Sequence, residues 1–276
     1  MKQLPLVNGH DTYGDEAQPR MGFFTDTTVC IGCKACEVAC KEWNLVPEDG
    51  LLWTGESYDN TSALGANSWR HVAFVEQQRD GGLRWLMESD VCKHCTHAGC
   101  LDVCPTGSLI RTEYGTVVVQ EDICNGCGYC VVACPFGVLD QRKLPDETGK
   151  EDGRVWKCTL CYDRLKGGHE PACAKACPTD SIQFGPLDEL LERAERRLDK
   201  VRADERWEGA QLYGHDRDDG VGGFGAFFLL LDEPEVYGLP PDPVVPTKDL
   251  GQTWTAVLAA AGALAAGVAA ACLGAR

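Results

Sequence analysis

The sequence predicts an α+β protein: two small metal-organised modules, one inserted in the other, then a capping region and a single C-terminal transmembrane helix. Three observations predict it. Sixteen of the 17 cysteines form four compact quartets between positions 30 and 177. Short β-branched runs lie among the quartets, and one pattern of helical period follows them. From Trp254 to Leu273 the chain carries no charge.

Residues 1–20 read as an N-terminal extension. They hold neither an apolar segment nor a twin arginine, so no export signal is expected and metal insertion is placed in the cytoplasm.

The body is read as 21–185. Its quartets are Cys30, Cys33, Cys36, Cys40; Cys92, Cys95, Cys100, Cys104; Cys124, Cys127, Cys130, Cys134; and Cys158, Cys161, Cys173, Cys177. The third, CNGCGYCVVACP, has bacterial ferredoxin spacing, in which three cysteines on a curled loop ligate one [4Fe-4S] cubane and the fourth reaches another. The first, CIGCKACEVAC, keeps that spacing with Lys41 where proline is usual, and the second opens the loop by two residues. The fourth places a long loop between Cys161 and Cys173 but keeps the closing C-x3-C-P. Gly32 and Ala35, and Gly126 and Gly128, are small enough for the loops to curl and for amides to approach cluster sulfides.

Gly115 to Val119 reads as a strand joining the second and third runs into one ferredoxin-like module, about 89–140. The first and fourth runs then pair across it as the outer module. Four [4Fe-4S] clusters follow, with crossed ligation. They are held by Cys30, Cys33, Cys36 with Cys177; by Cys158, Cys161, Cys173 with Cys40; by Cys92, Cys95, Cys100 with Cys134; and by Cys124, Cys127, Cys130 with Cys104. Metal ligation is expected to supply much of the body's stability. A zinc-organised scaffold is the competing reading; it uses C-x2-C pairs but leaves the recurrent C-x3-C-P unexplained. A disulfide framework suits a short secreted chain, not a long one with an odd cysteine count.

Trp69 to Glu76 and Leu83 to Glu88 read as strands joined at Asp80-Gly81-Gly82. The capping region, 186–235, opens on Leu187, Leu190, Leu191, Ala194, Leu198 and Val201, the apolar stripe of an amphipathic helix. It continues through a flexible turn at Gly220 to Gly223 and a buried strand at Phe227 to Leu231. A linker, 236–252, semi-rigid from Pro240 to Pro246, leads to the helix 253–274. Ten alanines between Trp254 and Leu273 leave two readings, a membrane span or a buried alanine-rich helix. Ala259, Ala263, Gly267 and Ala271 recur every fourth residue, which suits close packing between membrane helices. Cys272 reads as a small apolar residue.

A net charge of −16 argues against nucleic acid or an anionic lipid surface as partner. Lys34, Lys41, Lys93, Lys157 and Lys175 beside the cysteines are either solvated loop charges or partial compensation for anionic clusters. His94 and His97 are not expected to be ligands, since their run already supplies its thiolates. With no GxGxxG, P-loop, G-x-S-x-G or HExxH, no catalytic residue is assigned.

The segments CIGCKACEVACKEWN, KCTLCYDRL with PACAKACPTDSI, and GVGG followed by PEVYGLPPDP before a C-terminal apolar helix carry a family resemblance. The chain resembles the iron-sulfur (beta) subunits of respiratory molybdopterin oxidoreductases, most closely those of membrane-bound formate dehydrogenases. The resemblance implies a non-catalytic electron-transfer subunit with four [4Fe-4S] clusters. It implies a molybdopterin (Mo or W) formate-oxidising alpha subunit as electron donor. The acceptor it implies is a cytochrome b gamma subunit that passes electrons to quinone, with membrane lipid around the single-pass helix. It also places the body outside the cell membrane; Arg276 and Lys248 offset each other, so charge leaves the side open. The same relay in a hydrogenase or a sulfur or sulfoxide reductase is the alternative. Nitrate reductase relatives carry tryptophan at one ligand position, whereas all sixteen positions, Cys95 included, are cysteine here. Phe224 after GVGG, where threonine is usual, and Leu230 and Leu231, where histidines are common, depart from the family pattern.

Overall fold

A computed structural model describes residues 18–50, 53, 55, 58–61, 63–79, 82–143 and 152–274. Most of the expected N-terminal extension, and Asp80 and Gly81 of the expected hairpin turn, lie outside these residues. The chain runs through β1 (Met21–Asp26), α1 (Ala35–Asn44), β2 (Arg70–Arg79), β3 (Gly82–Val91), α2 (Gly99–Asp102), β4 (Leu109–Arg111), β5 (Val117–Val119) and α3 (Tyr129–Val132). It continues through β6 (Asp140–Gln141), β7 (Val155–Trp156), α4 (Tyr162–Lys166), α5 (Ala172–Lys175), β8 (Ile182–Pro186), α6 (Leu187–Arg202), β9 (Gln211–Tyr213), β10 (Ala226–Leu230) and α7 (Leu250–Gly274).

Cysteine loops offer little regular backbone, so the main sheet comes from the segments flanking them. Its order is β8-β1-β10-β9, with β1 parallel to β10 and both outer pairs antiparallel. The run AFFLL of β10 is buried at every position, as a central strand covered on both faces requires. Phe24 stacks on Phe227 with ring centroids 5.3 Å apart. Each such buried ring contributes roughly 1.5–3 kcal/mol. Helix α6 packs on this sheet through Leu187, Leu190, Ala194 and Val201, all buried, with Leu191 and Leu198 half-buried at the margin. Arg197 Nε fixes it by donating to Asp26 Oδ2 at 2.8 Å.

Strand β1 leads into the first cysteine run and β8 leaves the fourth. Their pairing, from Met21 opposite Pro186 to Thr25 opposite Ile182, brings the two ends of the cysteine-bearing stretch together. Within that stretch α1 packs on α5 and α2 on α3, while β4 pairs with β5 and β6 with β7.

Several elements differ from expectation. The β2–β3 hairpin is longer than the apolar runs suggest, with pairing from Arg70 opposite Val91 to Arg79 opposite Gly82. The strand after Gly115 begins only at Val117, because Gly115 has φ 75° and closes the preceding turn. The buried strand ends at Leu230, since the Leu231 N–H donates to the Tyr237 hydroxyl at 3.2 Å instead of the ladder. The turn at Gly220 to Gly223, expected to be flexible, is packed: Val221 is fully buried, and Asp219 Oδ1 accepts from the Val221 and Gly223 amides at 2.8 and 2.9 Å. The proline-rich segment is a strap up to Val245, which is buried and donates to Gly220 O at 3.2 Å.

The chain divides into two compact units, 1–245 and 246–276. The second contains α7, whose 25 residues are all exposed. At about 1.5 Å per residue it is longer than the ~30 Å hydrocarbon layer, and it is apolar enough to cross a membrane.

Candidate metal centres

Each of the four C-x2-C loops turns on the residue just before its second cysteine, at positive φ: Gly32 (63°), His94 (45°), Gly126 (70°) and Leu160 (56°). Two of these must be glycine for space as well as conformation. A Cβ at Gly32 would lie 2.6 Å from Phe74 Cε1, and one at Gly126 would lie 2.4 Å from Gly153 O. His94 and Leu160 hold the same left-handed turn with a side chain, at a cost of about 1–2 kcal/mol each. The glycines are legible in the sequence; the equivalence of His94 and Leu160 to them emerges only from the backbone.

The thiols group across runs. Cys30, Cys33 and Cys36 line one cavity with Cys177, together with Ser89 and Ser181. Cys92, Cys95 and Cys100 line a second with Cys134. Cys40 on α1 has Cys158, Cys173 and Cys161 as its electrostatic neighbours, and Asn44 Nδ2 reaches both Cys40 Sγ (3.7 Å) and Cys161 Sγ (3.8 Å). Cys130 has Cys124, Cys104 and Cys127 around it. Cys272 lies far along the chain, exposed on α7.

Burial pushes most of these thiols up: Cys36 to about 11 against the pull of Arg70 and Ser89, Cys130 to about 11, Cys100 to about 12 against Lys157, and Cys158 to about 12. Neighbouring thiols raise Cys40 and Cys95 further. Four thiolates can share such a space only with a bound cation that replaces their protons. Among the described residues no three cysteine, histidine or carboxylate side chains converge on the point one ion would occupy. Four thiols line each of the two cavities above, and an all-thiol set of this kind suits an iron-sulfur cubane. Cys104 differs. Its burial is outweighed by the Leu109, Thr106 and Ser108 amides and the Thr106 hydroxyl, which bring it down to about 7. The Val138, Phe136 and Gly137 amides act similarly on Cys134 but do not overcome burial. In both cases the amides belong to the residues after a C-P pair, which explains the recurrent motif: proline starts a turn whose N–H groups face sulfur.

The four groups form a file. Cys36 is within electrostatic reach of Cys173, Cys158 of Cys92, and Cys100 of Cys130. The order is therefore the Cys30 group, the Cys158 group, the Cys92 group and the Cys124 group. Buried cations stand at the junctions. Arg70 acts on Cys173, Cys36, Cys158 and Cys40, which outweigh its own burial and hold its pKa above the ordinary arginine value. Its Nη1 is anchored on Ser89 O and Ser89 Oγ, both at 3.1 Å. Lys157 faces Cys100 and Cys158, with its ammonium donating to Val117 O and Cys158 O. Of the five lysines singled out from sequence, Lys93 and Lys157 are buried. Lys175 is exposed, Lys34 is half-buried with Asp59 and Glu37, and Lys41 donates to Asn67 O at 2.7 Å. Arg70 carries no sequence signal, because it lies on a strand far from any cysteine in the chain.

The exposed thiols belong to the two end groups, while Cys95, Cys100 and Cys134 in the third group are half-buried. Cys33 and Cys127 are exposed, whereas Cys40, Cys158, Cys161, Cys173 and Cys92 are buried. Exposed apolar residues flank each end, Ile31 and Val38 at one, and Ile123, Tyr129 and Val132 at the other.

Comparison with known proteins agrees with this chemistry. One 4Fe-4S dicluster domain family matches residues 83–187, and another family of the same description matches residues 29–108. The chain is 44% identical over 245 residues to the iron-sulfur subunit of the nitrate-inducible formate dehydrogenase of Escherichia coli strain K12, covering 87% of this chain and 79% of that protein. A formate dehydrogenase iron-sulfur subunit of Haemophilus influenzae is 43% identical over 247 residues, covering 88% of this chain and 75% of that protein. A subunit of the anaerobic dimethyl sulfoxide reductase of E. coli is 36% identical over 179 residues, covering 62% of this chain and 76% of that protein. A cysteine-lined file, two 4Fe-4S dicluster domains and relatives of this kind lead to one conclusion: the chain belongs to the family of non-catalytic iron-sulfur subunits found in formate dehydrogenases.

Proposed function

We propose that this chain holds four [4Fe-4S] clusters in crossed ligation, as two ferredoxin-like modules nested one in the other, and relays electrons along them. The ligand sets are Cys30, Cys33, Cys36, Cys177; Cys40, Cys158, Cys161, Cys173; Cys92, Cys95, Cys100, Cys134; and Cys104, Cys124, Cys127, Cys130. The observation that supports this best is the file of thiol groups, whose exposed members, Cys33 and Cys127, lie in its two end groups. Bound clusters would supply one-electron chemistry; the protein insulates them, compensates their charge through Arg70 and Lys157, and aims amides at their ligands. The donor is a molybdopterin-containing formate-oxidising subunit, and the acceptor is a membrane cytochrome b that passes electrons to quinone. Helix α7 anchors the chain in the membrane, with the body on the extracytoplasmic side.

Purified anaerobically, the chain should carry about sixteen iron atoms, four per cluster, with matching sulfide. In the assembled complex formate should bleach the broad visible absorbance that dithionite also bleaches. Stoichiometric zinc in place of iron would return the reading to a structural scaffold. The sulfoxide reductase relative supports a second reading, the same relay serving another catalytic subunit. In that case dimethyl sulfoxide, and not formate, would exchange electrons with the complex.

Arg70 provides an independent check. Removing a buried charge from among anionic partners costs about 3–5 kcal/mol. Arg70→Met should therefore lower thermal stability and move two clusters together to lower potential, those of the Cys30 and Cys158 groups. An EPR-monitored redox titration in which neither moves would remove Arg70 from the relay.

A further inference from the structure

His94 is buried at 2% exposure and lines the cavity enclosed by Cys92, Cys95, Cys100 and Cys134. Its ring is fixed by one hydrogen bond: the Val117 N–H donates to Nδ1 at 3.1 Å. A nitrogen that accepts cannot also carry hydrogen, so the proton of the neutral imidazole sits on Nε2. That Nε2 is fully buried and has no hydrogen-bond partner among the protein atoms. An orphaned buried donor of this kind destabilises the fold if nothing accepts from it.

The backbone repeats the point. His94 occupies the left-handed position that glycine fills in the first and third loops. The surroundings hold it there: Arg20 Nη2 and the Gly225 N–H both donate to its carbonyl, at 3.1 and 3.3 Å. Leu160, its counterpart in the fourth loop, is fully buried in the apolar core, so its strain is offset by packing. A histidine gains no such return from an apolar wall. His94 lines the cavity of the four thiols, and its one unsatisfied side-chain atom, Nε2, is buried.

We infer that His94 donates its Nε2–H to a sulfur of the cluster held by Cys92, Cys95, Cys100 and Cys134, and thereby raises that cluster's reduction potential relative to the other three. This rests on the four-cluster reading. An N–H···S bond strengthens as negative charge accumulates on the cluster, so it favours the reduced state. His94 acts as a positioning and tuning residue, not as a ligand.

The test uses the full complex, purified anaerobically from cells fed 15N-histidine. Pulsed EPR of the reduced wild type should show a 15N coupling on one cluster, and that coupling should vanish in His94→Phe. In His94→Phe one of four potentials should fall, with the others and the iron content unchanged, and His94→Gln, which restores an N–H donor, should recover part of the shift. If the phenylalanine variant loses its cluster, the wild-type measurement still decides: a fully iron-loaded complex without 15N coupling overturns the proposal, as does a coupling that survives in His94→Phe. A wild type without iron would instead overturn the four-cluster reading beneath it.

Discussion

Cys177→Ala should abolish the cluster built on Cys30, Cys33 and Cys36 and spare the one built on the cysteines of its own run. The expectation follows from Cys177 lining the same cavity as the first-run thiols, with Cys30 among its electrostatic neighbours. Alanine offers no ligand atom, so iron should fall from about sixteen to about twelve per chain. Its EPR spectrum should match that of Cys30→Ala. Cys40→Ala should instead match Cys158→Ala, because Cys40 has Cys158, Cys173 and Cys161 around it. Loss of either cluster interrupts the file, so transfer from donor to quinone should fall to the background rate in both variants. A Cys177→Ala spectrum that grouped with Cys158→Ala would sink the nested arrangement, since each run would then hold its own cluster.

The four thiol quartets were legible because cubane-type spacing falls on a short stretch of chain. C-x2-C followed by C-x3-C, closed by proline in three of the four runs, is a local constraint, and it marks the quartets whatever the rest of the chain does. The capping helix was equally legible, since Leu187, Leu190, Ala194 and Val201 keep a period that only one face of a helix can use. The order of the thiol groups was not. It depends on which loops meet in space, and Cys158 lies near Cys92 through packing alone. Arg70 escaped for the same reason: on β2 it reads as one more charge in a strand, and its role comes from burial among thiols. Strand β1 is a different failure. MGFFTD has no alternation and only six residues, so nothing in it announces the strand that joins β8 to β10. The glycine turn at Gly220 to Gly223 looked mobile because composition reports conformational freedom, whereas Val221 and the strap at Val245 take that freedom away.

Truncation after Pro246 should leave the iron content intact and abolish quinone-linked electron transfer. The cut falls where the chain divides into its two units, and it keeps Val245, whose burial and bond to Gly220 belong to the body. The cysteine quartets end at Cys177, and Trp254 to Leu273 offer no set of thiols that could hold a cluster, so in the proposed relay the helix serves as an anchor. Its length and apolar surface suit a bilayer, and Ala259, Ala263, Gly267 and Ala271 give the close approach that membrane helices use to pack. An anchor matters through effective concentration: it would make docking on the proposed membrane cytochrome intramolecular, and its removal should weaken that docking by roughly 10²-fold or more. Electrons from formate should still reach a soluble dye at the wild-type rate, while quinone reduction collapses. Fractionation alone is a poor readout, because the body can remain on the membrane through the catalytic subunit. Quinone reduction unchanged in the truncated complex, with dye reduction as the internal standard, would show that α7 contributes nothing to docking.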